Sequence, residues 1–62
     1  MRVVYRDQSW EFNRSMPVFR LLEELHVLPE SVLVLCNGQL LTEDQRVNPG
    51  DDVKIVAVVS GG

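Results

Sequence analysis

The chain is poor in several residue types, and each shortage excludes something. Its 62 residues include one cysteine, one histidine, one tryptophan and one lysine. A lone Cys36 cannot close an intramolecular disulfide and does not provide the paired spacing of a structural zinc site. A reducing compartment is the simple inference, and the expected localisation is cytoplasmic. Bases are scarce too: six against nine acids, a net charge of −3. Gripping phosphate requires a basic face, so no direct nucleic-acid partner is expected. The acidic balance suits docking onto a basic surface of a partner protein. No apolar run approaches a membrane span. The segment Met1-Arg2-Val3-Val4-Tyr5-Arg6-Asp7 also lacks the apolar core and cleavage site of a signal peptide, so no membrane partner is expected.

Catalytic constellations are equally lacking. There is no Ser/His/Asp set, Gly-rich phosphate loop or arguable pair of carboxylates. Glu43, Asp44, Asp51 and Asp52 do not follow calcium-loop spacing and read as solvated loop charge. Cys36 sits in an apolar run with no basic neighbour to stabilise a thiolate, which reads as a core thiol. His26 falls where a helix should end, which favours a surface or capping role. The expectations are no catalytic residue, no metal and no bound cofactor.

What the chain does have is an ordinary globular balance, 45% hydrophobic and 24% charged, spread over one domain of residues 1–62. Residues 2–6 alternate, with Val3 and Tyr5 opposite Arg2, Val4 and Arg6, which predicts a strand. Asp7-Gln8-Ser9 can turn, and Trp10 and Phe12 then share the core face of a second strand. Ser15 is placed as an N-cap with Met16-Pro17 in the first helical turn. Val18, Leu21, Leu22 and Leu25 keep helical spacing, so a helix of roughly 16–26 is expected, closed off by Pro29. Val32-Leu33-Val34-Leu35-Cys36 is a strand, and Asn37-Gly38 after it is a hairpin signal leading into Gln39-Leu40-Leu41. Thr42-Glu43-Asp44-Gln45 has capping-box form and predicts one helical turn. Asn48-Pro49-Gly50-Asp51 fits a type II turn.

The last strand, Val53 to Val59, is β-branched and strong enough for the middle of a sheet. It runs into Ser60-Gly61-Gly62, a tail without obstructing side chains at its last two positions. The order β-β-α-β-β-β, with a single apolar helix stripe, covers one face of a mixed sheet of about five strands. With the first and last strands parallel, this is an α+β architecture, the β-grasp or ubiquitin-like fold.

Four features taken together resemble the ThiS/MoaD family of sulfur carriers. They are the helix Pro17-Val18-Phe19-Arg20-Leu21-Leu22-Glu23-Glu24-Leu25, the strand into Asn37-Gly38, the Asn48-Pro49-Gly50-Asp51 turn, and Ser60-Gly61-Gly62. The resemblance implies a carrier with no catalysis of its own. A ubiquitin-activating-type adenylyltransferase, using ATP, would adenylate the Gly62 carboxylate. Sulfur from a sulfurtransferase or cysteine desulfurase would then leave a thiocarboxylate for a sulfur-accepting synthase or thiolase. Gly61 permits close approach, and Ser60 is less constrained. Thiamin thiazole, molybdopterin and tRNA thiolation stay open as destinations. The short chain and the compact Thr42–Pro49 stretch look somewhat more like tRNA-thiolation carriers. The alternative is a ubiquitin-like modifier conjugated through Gly62 to lysines of other proteins. A β-grasp module of RNA-associated proteins is a third reading, and the acidic balance counts against it.

A docking patch follows from pattern. If Arg2 and Lys54 face solvent, Val4, Val56 and Val58 share their face opposite the helix, joined by Leu33 and Leu35. Monomers seldom expose such a patch without reason. The opposite assignment of faces in the continuous runs is the competing reading.

Overall fold

Alternation along the first strand sets the architecture. In β1 (Arg2–Tyr5) Val3 is fully buried and Arg2 exposed, so one side chain in two faces the core. The computed structural model describes residues 1–58. In them β1 is followed by β2 (Gln8–Glu11), a two-residue β3 (Met16–Pro17) and the helix α1 (Val18–Glu24). A 3₁₀ turn at Pro29–Ser31 then leads to β4 (Val32–Cys36), β5 (Gln39–Leu41), β6 (Arg46–Val47) and β7 (Asp52–Ala57). The main sheet has the order β2-β1-β7-β4-β5, and β3 pairs with β6 in a second, two-stranded sheet. The most β-prone segment is therefore the middle strand. It runs parallel to β1 through Val3↔Val53 and Tyr5↔Ile55, and antiparallel to β4 through Val34↔Ile55 and Cys36↔Val53.

The core lies between this sheet and α1. Val18, Leu21 and Leu22 from the helix meet Val3, Val34, Val53 and Ile55 from the sheet, with Met16 and Val47 from the small sheet closing one side. Trp10 and Phe12 are half-buried and pack against it, as their pattern predicts.

The ends of α1 differ from expectation, for an identifiable reason. Met16 and Pro17 are not its first turn: they pair with Val47 and Arg46. The N–H groups of Val18 and Phe19 donate to the carbonyls of Gln45 and Glu43 at 2.8 and 3.1 Å. The first helical donors are thus satisfied by backbone from the β5–β6 connection, and no side-chain cap is formed. Ser15 instead donates to Asn48. At the other end His26 takes φ 58°. Its N–H bonds Glu23 O at 3.1 Å, and the Val27 N–H bonds Leu22 O at 2.9 Å. That pair of bonds is a Schellman motif with histidine at the left-handed position.

The loops follow local chemistry. Asn37 and Gly38, at φ 51° and 83°, make the two-residue hairpin loop that their sequence predicts. Gly50 at φ 94°, with the Asp51 N–H on Asn48 O at 3.1 Å, closes a type II turn. The first hairpin is tighter than expected. Its loop is Arg6-Asp7, and Gln8 already pairs with Tyr5. Arg6 adopts φ 56°, and its guanidinium lies 5.3 Å from the Tyr5 ring centroid. Thr42–Gln45 is a turn and not a helical turn. It keeps half of the capping box, with the Thr42 N–H on Gln45 Oε1 at 2.7 Å.

Candidate functional site

Partners across a sheet share a face, so strand register fixes what lies opposite the helix. Lys54, in the middle of β7, stands between Val4 on β1 and Leu35 on β4. One rung further toward the tail, Val56 stands beside Leu33. Leu40, on the edge strand, stands beside Leu35. Leu33 and Leu40 are 46% and 56% exposed, the values of side chains with no core to enter. Val4, Leu35 and Val56 are half-buried. The structure thus brings Val4, Leu33, Leu35 and Val56 together on the sheet face away from α1. Val58 follows the last registered pair, and its N–H donates to Ser31 O at 3.0 Å. Ser60, Gly61 and Gly62 lie outside the described residues.

Leu40 was absent from the patch read in the sequence, although a signal for it existed. A two-residue Asn37-Gly38 loop makes Cys36 pair with Gln39, and Leu40 must then sit opposite Leu35.

The charges on this face are ordered. Arg2 pairs in register with Glu11 on one side and Asp52 on the other. Lys54 has apolar partners on both sides. Among the described residues the ion pairs are Arg14 with Glu24 and Arg20 with Glu23, both away from this face. No set of three His, Cys, Asp or Glu suited to a metal occurs among the described residues. No helix among them is long and apolar enough to cross a membrane.

At the end of the sheet remote from the tail, a polar clasp joins the β4–β5 hairpin loop to the turn that enters β7. Asn37 Oδ1 accepts the Asp52 N–H at 3.0 Å, and Asn37 Nδ2 donates to Asp51 Oδ1 at 3.2 Å. The other Asp51 oxygen accepts the Asn48 N–H at 2.9 Å. These donors, the Asn48 amide foremost and then Asn37, hold the Asp51 carboxyl below the ordinary carboxylate range. Cys36 lies beside this group. Burial pushes its thiol up, and the Asp51 charge, its hydrogen bond and then Asp52 push the same way. These influences all favour the protonated thiol and work against a nucleophilic role for Cys36.

A mixed sheet in the order β2-β1-β7-β4-β5, crossed by one helix on one face, defines a β-grasp, ubiquitin-like protein. Its first and last strands are parallel neighbours at the centre, and the last strand leads to the chain's C-terminal residues. Residues 2–62 match the ThiS family, and the chain belongs to that family of small sulfur carriers. It is 34% identical over 65 residues to the sulfur carrier protein TtuB of Thermus thermophilus, the match covering all of both chains. In structure it resembles the crystal structure of the thiamine biosynthesis protein ThiS from Geobacter metallireducens, with a TM-score of 0.71, 28% identity and full coverage of both chains. The solution structure of a thiamine biosynthesis protein from the same organism matches with a TM-score of 0.62 at 26% identity, covering all of this chain and 88% of that one.

Proposed function

We propose that this chain carries sulfur as a thiocarboxylate on Gly62 and that the open face of its sheet docks the enzymes that load and unload it. The observation that carries this reading is the place of β7. One strand supplies the centre of the exposed face, through Lys54 and Val56, and leads directly to the tail. A surface that binds the face therefore lies beside the strand that leads into the tail.

The chemistry proceeds in three steps. A Gly62 carboxylate oxygen attacks the α-phosphorus of ATP on an activating adenylyltransferase, expelling pyrophosphate and leaving an acyl-adenylate. The terminal sulfur of a persulfide, supplied by a sulfurtransferase or cysteine desulfurase, attacks the carbonyl carbon and expels AMP. A second thiol then cleaves the acyl disulfide, becoming part of a disulfide and releasing the thiocarboxylate. The carboxylate needs this activation because it is a poor electrophile until joined to phosphate. The acceptor is a synthase or thiolase of thiamin-thiazole, molybdopterin or tRNA-thiolation chemistry, in the cytoplasm. This chain contributes a rigid platform and an acyl group; the ATP and the chemistry belong to its partners.

Removing Gly61 and Gly62 tests the reading. The truncated chain should keep its fold by circular dichroism and release no pyrophosphate from ATP with the activating enzyme. Undiminished pyrophosphate release would refute it.

A further inference from the structure

The open face is not uniformly apolar, and its charges are unevenly placed. Of the nine acids in the chain, register puts only Glu11 and Asp52 on this face, and both flank Arg2. Moving from that rung toward the tail, the next rung holds Ser9 on the edge strand β2, then Val4, Lys54, Leu35 and Leu40, and the one after it Leu33 and Val56. Lys54 is exposed, its Cα partners on both sides are apolar, and it forms no ion pair among the described residues. Asp52 is two residues back, about 7 Å along the strand, on the rung of Arg2. Lys54 is also the chain's one lysine, on a protein of net charge −3. The net acidity read from composition suggested a basic partner, but it resides elsewhere, on the helix, the turns and the loops. On β1, β7, β4 and β5 the part of the face next to the tail is apolar with Lys54 as its one cation; Arg6, in the β1–β2 loop at the same end, lies against the Tyr5 ring.

From this we infer that the surface which covers the face, that of the activating enzyme, is apolar and carries a carboxylate positioned on Lys54. The inference rests on the docking reading given above and specifies its partner chemistry. An apolar cover strips water from the ammonium, and a buried lysine without a counter-charge is strongly unfavourable. A carboxylate in that position turns the same desolvation into orientation, because one central ion pair in an apolar surround admits one register of the two surfaces. With Val4 and Leu35 as its register neighbours, the lysine stem can add to the apolar area while its head meets the acid.

The test measures kcat/KM for pyrophosphate release by the activating enzyme with intact chain and ATP, using Lys54→Glu, Lys54→Met, Lys54→Arg and Arg20→Glu. Arg20→Glu changes net charge as much as Lys54→Glu, but on the helix side. Lys54→Glu should lower kcat/KM at least about tenfold through KM, with Lys54→Met between it and Lys54→Arg. Arg20→Glu should stay near wild type, and thermal melts should show every variant folded. Lys54→Met should also flatten the dependence of KM on salt. Equal losses for Lys54→Glu and Arg20→Glu would overturn the inference in favour of general charge. An unchanged rate for Lys54→Glu beside a loss for Val56→Asp would overturn it while leaving the docking face in place. No pyrophosphate release from the wild-type chain would instead bring down the proposed function itself.

Discussion

Asn37 and Asp52 hold each other twice: the Asn37 N–H donates to Asp52 O at 2.8 Å, and the Asp52 N–H donates to Asn37 Oδ1 at 3.0 Å. Asn37 does this from φ 51°, a left-handed conformation that asparagine adopts at lower cost than alanine. Asn37→Ala loses the side-chain bonds and strains the turn, so it should destabilise the protein by roughly 1–3 kcal/mol, read from urea unfolding. Asn37→Asp keeps the acceptor for Asp52 but sets a carboxylate against Asp51. It should be less stable than wild type at neutral pH and recover part of the difference as the solution is acidified.

The same clasp gives an acid dependence. The folded-state pKa of Asp51 is lowered from its ordinary 3.8, by the Asn48 amide and then by Asn37. Below that ordinary value the unfolded chain binds the proton first, so acid favours unfolding. The contribution of Asp51 is fully present above 3.8 and is lost as pH falls through the folded value. Urea midpoints measured down the acid range should decline there, and Asp51→Asn should remove this share of the decline. An NMR titration should place the Asp51 carboxyl below its unfolded counterpart.

His26 occupies the left-handed residue of the Schellman motif at the end of α1, a position that glycine fills without strain. His26→Gly should stabilise the protein by roughly 0.5–1 kcal/mol. Chemical denaturation of the two proteins side by side gives the value. A loss of stability would mean that the imidazole makes a contact worth more than the backbone strain it brings.

Cys36 should behave as a poor nucleophile. Burial and the charges of Asp51 and Asp52 keep the thiol protonated, so alkylation by iodoacetamide at neutral pH should be slower than that of a free cysteine. Asp51→Asn should speed it by removing the charge that acts most strongly on the sulfur.

Sequence alone made the sheet legible because its signals are local. Alternation marked β1, Asn37-Gly38 fixed the β4–β5 register, and the β-branched run 53–59 marked the central strand. The helix ends were not legible, since their donors are satisfied by Glu43 and Gln45, some 25 residues away in the chain. Ser15 looked like a cap only because that distant backbone cannot be seen from a helical pattern. The patch was legible in outline: once β7 is central, Val4, Leu33, Leu35 and Val56 follow from period two. Leu40 and the isolation of Lys54 needed the register, because they depend on which residue stands beside which on three different strands.

The most direct measurement is the intact mass of the chain after incubation with the activating enzyme, ATP and a persulfide donor. The account predicts a species in which one oxygen has been replaced by sulfur, located in the C-terminal peptide ending at Gly62 and absent when ATP is omitted. A chain whose mass stays unchanged under those conditions, with an enzyme shown to be active, would contradict it.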